Sequence, residues 1–237
     1  MAPSLSEGFK SALTAIVGDS YTTDDPVTRF TYTQDASLFG GTQSALVVRP
    51  GSTDEVSRIA ALCNRQRIPI VIRGGGATIY GQPKGDPDRT VLLDMTRMDR
   101  VIEVNAGIMT VTAEAGIILG KLVHACKQKG FYMWSPFAPL HMVSLGGWIS
   151  GVAGSAGLWT DIVSITVVLA DGTIVKTGGG PGTNVHQPLF YNRNLGGPDF
   201  AGMFIGDGGS FGIKTEATIR ITKQPPLVRA GIFAFDG

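Results

Sequence analysis

Apolar residues at Leu5, Phe9, Leu13 and Ile16 recur at helical spacing behind Ser6 and Glu7, and predict a short amphipathic helix over residues 4–18. A polar stretch rich in Thr and Asp runs from there to about residue 44. Residues 45–49 then read as a buried strand, and Pro50 and Gly51 break it. The next segment opens on a Ser or Thr cap and places Val56, Ile59 and Leu62 on one face, which predicts a helix. The apolar run at 68–73 is a second strand, so strand, helix and strand form a βαβ unit whose crossover should be right-handed. Shorter β segments follow at 90–95, 100–105 and 108–116. Residues 119–130 return to helical periodicity and stop at Gly130, which suits a left-handed cap, with Lys127 and Lys129 at the negative helix end. Residues 161–178 read as two strands joined by an Asp171-Gly172 hairpin turn.

Composition changes this picture in one respect. Glycine occurs 33 times in 237 residues, well above a usual share of roughly 7%. The excess gathers at 73–81, 144–157 and 206–221, each beside a segment that reads as a strand. The first cluster lies at the carboxyl end of the second strand, where open α/β sheets bind ligands. A formal net charge of +1 with mixed signs leaves no footprint for nucleic acid or an anionic membrane. Cys63 and Cys126 lie in helical stretches outside any metal-site spacing and read as buried free thiols. The amino terminus lacks a secretion-signal pattern, and no apolar run approaches the ~20 residues of a membrane span, so a cytoplasmic protein is expected.

Gly74, Gly75 and Gly76, followed by Ala77 and Thr78, can gather backbone N–H groups into an anion nest fit for a pyrophosphate. A glycine triplet after a strand is also a plain tight turn, and both readings stand at this point. Neither common nucleotide fingerprint is met: GxGxxG from Gly74 ends on Ile79, from Gly146 its middle position is Trp148, and no GxxxxGK[ST] occurs. Arg73 either neutralises phosphate charge or makes an ion pair. His124 belongs to a helix and His186 to a loop, while Trp148 and Trp159 flank the second cluster as core or ligand-facing residues. Tyr191 and Arg193 are candidate pocket residues without an orientation.

From about residue 20 to 225 the chain resembles the FAD-binding domain of the vanillyl-alcohol oxidase and p-cresol methylhydroxylase (PCMH) superfamily, particularly its D-lactate and glycolate dehydrogenase branch. The matching stretches are VVRPGSTDEVSRIAALCNRQRIPIVIRGGGATIYG, SLGGWIS, VVLADGTIV and GDGGSFGIKTEATIRI; the last answers the family's Gly-Ser-Glu-Gly-Thr-Leu-Gly-Ile-Ile-Thr-Glu-Ala-Thr. SLGGWIS and GGPDFAGMF also resemble alkylglycerone-phosphate synthases.

The resemblance implies an α+β (mixed α/β) PCMH-type fold, a small βαβ subdomain followed by a larger mixed sheet flanked by helices. Residues 1–44 would be an N-terminal helix and lead-in, 45–225 the FAD domain with subdomains of roughly 45–105 and 106–225, and 226–237 the start of a truncated or absent cap domain. FAD would lie extended between the subdomains. Arg73, Gly74, Gly75, Gly76, Ala77 and Thr78 would hold its pyrophosphate, with Gly81 nearby. Leu140, His141, Ser144, Leu145 and Gly147 would follow the ribityl chain and flavin, and Gly151, Val152, Gly154, Gly208, Gly209, Gly212 and Ile213 the remainder. Relatives that attach FAD covalently use a His where Ala77 stands or a Cys where Leu140 stands, so a noncovalent FAD is expected. Gly208 replaces the family's Glu. The implied activity is oxidation of a small 2-hydroxy acid or alcohol by hydride transfer to flavin N5, with a cap domain or partner subunit supplying the base and His141 the lone candidate in this chain. The alternatives are an FAD-dependent acyl-for-alkyl transferase and a non-catalytic FAD-carrying electron-transfer subunit.

Overall fold

The computed structural model describes residues 5–39, 43–79, 81, 86–133, 139–151, 158–178, 198–227 and 231, with only the backbone at 158 and 159. The first predicted helix is α1 (Glu7–Val17), opened by the Ser6 hydroxyl accepting from the Phe9 amide, one of the donors a helix start leaves without a partner. After it come β1 (Thr22–Thr23), α2 (Pro26–Thr31), β2 (Leu46–Val48), α3 (Thr53–Gln66), β3 (Ile70–Arg73) and β4 (Val91–Asp94). Their strands form a sheet of order β1-β2-β4-β3, parallel except for β1 at one edge. The predicted βαβ unit is present, but β4 lies between its two strands. All four residues of β4 are buried, whereas β3 is mostly half-buried and ends in Arg73. The fully buried β4 lies inside the sheet, where both edges and both faces are covered, and β3 lies at its edge.

Leu46, Val48, Val91 and Leu93 pack with Leu13 and Val17 of α1 and with Val56, Ile59 and Cys63 of α3. On the other face Val47, Val71 and Leu92 pack with Tyr32. The stretch before residue 45, read as a lead-in, therefore supplies this subdomain with a core helix, an edge strand and cover for its outer face.

The second part comprises β5 (Val101–Asn105), β6 (Thr110–Glu114), α4 (Leu119–Gln128), β7 (Phe131–Tyr132), α5 (Leu145–Ser150), β8 (Ile162–Val168), β9 (Ile174–Lys176), β10 (Ile213–Arg220) and β11 (Thr222–Lys223). Its main sheet is antiparallel, with order β5-β6-β10-β8-β9, and β7 pairs with β11. Residues 101–105, which the sequence reading grouped with the first subdomain, thus belong to the second sheet. Register sets Ala113, Ala217 and Ile165 side by side, and that face packs with Leu119 and Leu122 of α4 and Leu145 and Trp148 of α5. The opposite face carries Thr112 and Thr218, whose hydroxyls bond each other at 2.9 Å, and Thr166, which donates to Glu216. This apolar and polar alternation is what specifies an antiparallel register. Val168 and Ile213, at the ends of β8 and β10, join the core of the first subdomain, so the two parts share a wall.

Cys63 and Cys126 are buried free thiols; burial pushes their pKa values up to about 12 and about 11. Among the described residues no helix is long and apolar enough to cross a membrane.

Candidate functional site

The three glycine clusters, far apart in sequence, meet at this shared wall around a cavity of about 390 Å³. The first follows β3, and Gly76 there has φ +70°, a conformation that favours glycine. A Cβ at Gly75 would collide with the Met142 carbonyl, and one at Gly74 with the Ser144 hydroxyl. Two of the three glycines are therefore demanded by the close approach of the second loop. This packing, rather than ligand access alone, explains the triplet.

The second loop leads into α5. The strand expected beside this cluster is β8, which follows it; within the cluster itself the structure has a six-residue helix that the sequence reading did not identify, started by the Ser144 hydroxyl accepting from the Gly147 amide. Burial of Leu145, Trp148 and Ile149 overrides the low helix propensity of Gly146 and Gly147. The Gly146 amide donates to Ala115 O at 2.7 Å and the Leu145 amide to Ile117 O at 2.9 Å, which fixes α5 against the end of β6. The third loop is held in turn by α5: the Gly206 and Gly208 amides donate to the Ile149 and Ser150 carbonyls, each at 2.9 Å. Within that loop Asp207 accepts from the Gly209 and Phe211 amides and from the Lys214 ammonium, the last at 2.7 Å. Burial lowers the pKa of Lys214, and the bond to Asp207 opposes that shift.

Arg73 lines the cavity but is committed to the protein. Its guanidinium donates to Tyr32 O at 3.1 Å and Gln34 O at 2.8 Å, and lies over the Tyr32 ring. Burial lowers its pKa. The Tyr32 hydroxyl donates to Asp94 at 2.8 Å, and burial, then the Asp94 charge, pushes its pKa up to about 12. Arg73 thus ties the first loop to residues 32–34, a role neither sequence alternative included.

Of the residues expected at the site, Arg73, Gly74, Gly75, Gly76, Ala77, Thr78, Gly81, Ser144, Gly147, Gly151, Gly208, Gly209 and Gly212 line the cavity. Leu140, Leu145 and Ile213 pack into the cores behind it, and His141 is exposed and outside its wall. Val152 and Gly154 lie outside the described residues, as do His186, Tyr191 and Arg193 and the side chain of Trp159. His124 is exposed, beside Gln128. Sequence reasoning missed Met95 and Ala115, which come from strand ends remote from any glycine cluster, and Lys214. The signal for Lys214 was available: it is a cation at a buried position of a strand whose neighbours are Ile213 and Thr215.

The wall suits a dinucleotide carrying a flavin. Glycine backbone from three loops comes to the wall without intervening side chains, the first loop brings backbone amides there, and Ile72, Met95 and Val143 provide apolar surface. Trp148, 1% exposed, lines the cavity, and its buried Nε1 has no partner among the described residues. Such a donor is suited to an acceptor on a bound ligand.

Comparison with known proteins bears on the family and the fold. The chain is 28% identical over 227 residues to the glycolate oxidase subunit GlcD of Bacillus subtilis, a match spanning 93% of this chain and 46% of the relative. The chain thus spans about half the length of that curated relative. Among solved structures, an alkyldihydroxyacetonephosphate synthase superposes with a TM-score of 0.79 at 25% identity, over 95% of this chain and 42% of the other. p-Cresol methylhydroxylase superposes with a TM-score of 0.77 at 22% identity, over 94% and 45%, and shares the fold. The FAD binding domain family matches residues 44–178, more than half of the chain, which runs from before β2 to just beyond β9 and takes in the first two glycine loops; the chain belongs to that family.

Proposed function

We propose that this chain is the FAD-carrying part of an oxidoreductase that oxidises a small 2-hydroxy acid or alcohol, with the FAD held noncovalently in the cavity between the three glycine loops. The observation that carries the reading is the glycine-lined, apolar-walled cavity at the junction of the subdomains, in a chain similar to a glycolate oxidase subunit. FAD, when bound, supplies the two-electron acceptor that takes the carbon-bound hydrogen as hydride. The chain's own residues bind and orient. Backbone amides of the first loop and Trp148 Nε1 would meet acceptors of the cofactor, while Ile72, Met95 and Val143 would exclude water beside it. Ala77 and Leu140 offer no atom for covalent attachment.

Removal of the hydroxyl proton needs a base, and the described lining contains neither a histidine nor a carboxylate. We assign that base to a residue outside the described set, in the length that the relatives have beyond this match or in a partner subunit. A second reading, an FAD-dependent transferase, is favoured by the likeness to the alkyldihydroxyacetonephosphate synthase.

The test is a visible spectrum of the purified chain before and after acid precipitation, followed by anaerobic addition of 2-hydroxy acids to the full-length protein. Flavin bands that move to the supernatant, and that bleach on addition of glycolate or D-lactate, are expected. A chain that takes up no FAD overturns the cofactor site. Bound flavin that no 2-hydroxy acid or alcohol bleaches overturns the redox reading in favour of the transferase.

A further inference from the structure

Lys214 and Asp207 form an almost fully enclosed ion pair: their side chains are 2% and 1% exposed and 2.7 Å apart. Enclosed ion pairs are poor sources of stability, because desolvation offsets the attraction and apolar replacements often serve as well. Both members also depart together from the family pattern. Aligned on GDGGSFGIKTEAT, Asp207 stands where the motif has Ser and Lys214 where it has the second Ile.

The two carboxylate oxygens of Asp207 are satisfied by three donors, the Gly209 and Phe211 amides and Lys214. Among the described residues the ammonium keeps donor capacity to spare. It has three N–H donors, and among the described residues its one acceptor is Asp207. Lys214 lines the cavity, as does Trp148, whose Nε1 has no partner among the described residues. The described wall includes two cationic side chains and no carboxylate. With Arg73 turned to the Tyr32 and Gln34 carbonyls, the donors open to a ligand include those of Lys214 and Trp148, beside the Ser144 and Ser150 hydroxyls and the first loop's backbone.

We propose that Lys214 is a cofactor-contacting residue that donates to an acceptor oxygen of FAD, and that Asp207 is its positioning residue, holding the ammonium at the cavity wall while closing the third loop. This rests on the reading of the cavity as the FAD site. Acceptor oxygens occur both on the pyrophosphate and on the flavin ring, and the chemistry of recognition is the same for either.

The test compares the 237-residue chain with Lys214→Met and with the double variant Asp207→Ser/Lys214→Ile, which installs the motif's residues and leaves no orphaned carboxylate. Each is melted to establish folding. FAD is then titrated by flavin fluorescence, and ADP and riboflavin are used as competitors. The double variant should melt within a few degrees of the parent chain yet bind FAD at least tenfold more weakly. A parallel loss for ADP assigns the contact to the phosphate end, and a loss for riboflavin to the flavin end; either supports the proposal. A folded double variant with parental affinity for all three ligands reduces the pair to a loop staple and overturns it. Should Lys214→Met not fold, the double variant decides. If the parent chain itself binds no FAD, the cofactor reading falls, an outcome distinct from failure of the variant comparison.

Discussion

A methyl group at Gly75 has no room, because the Met142 carbonyl and Ile118 Cδ1 occupy its place. Gly75→Ala should push the first two loops apart, destabilising the chain by about 1–3 kcal/mol as overpacking does, and weakening FAD binding at least tenfold. Gly8, on α1 with nothing within 4 Å of a built Cβ, is the control. Gly8→Ala should raise stability by roughly 0.5–1 kcal/mol, the usual gain in an open helix position. Denaturant melts and an FAD titration of both variants check this. The glycine triplet was plain in the sequence. The reason for its middle member was not, because the atoms that exclude a side chain come from Met142, 67 positions along the chain. His141 shows the converse: motif spacing placed it near the flavin, and the turn that carries it leaves it exposed.

Most elements were legible from periodicity and caps. α1, α3 and α4 each follow an amphipathic pattern, and α1 and α3 start at serines that accept from the amide three residues on. α5 escaped because a six-residue segment holding two glycines has no local preference for helix; its Trp148 and Ile149 find their burial only against the second sheet. The contribution of α1 to the domain escaped for a similar reason. A polar stretch separates it from β2, and only the folded chain shows Leu13 fully buried against α3 and β2. Leu13→Ala should therefore cost about 2–5 kcal/mol, as for any enclosed leucine. Leu38→Ala, at a fully exposed position in the same lead-in, should change stability by less than about 0.5 kcal/mol. Urea unfolding of the two variants distinguishes a core helix from a tethered one.

For the molecule as a unit, Val168 and Ile213 join the second sheet to the first core, and α5 carries both the second and the third loop. A ligand seated between the loops touches both subdomains, so its binding should stabilise them together. FAD at about 100 times its dissociation constant adds about 2.7 kcal/mol to the folded state, which for a chain of this size is a rise in Tm of roughly 5–10 °C. Calorimetry should show one transition that moves as a whole. Two transitions, with only one responding to FAD, would place the site within a single subdomain.

Sequence alone determined the local features: where apolar positions recur, where serine caps begin helices, where Asp171-Gly172 turns a hairpin, and that three glycine clusters lie at the ends of such elements. These depend on residues within a few positions of one another. Tertiary structure alone decided that β4 separates the strands of the βαβ unit, that the three clusters converge on one cavity, and that Asp207 and Lys214 are sealed together in its wall. Each of these follows from which buried surfaces find one another in the folded chain, and no periodicity along the backbone encodes that choice.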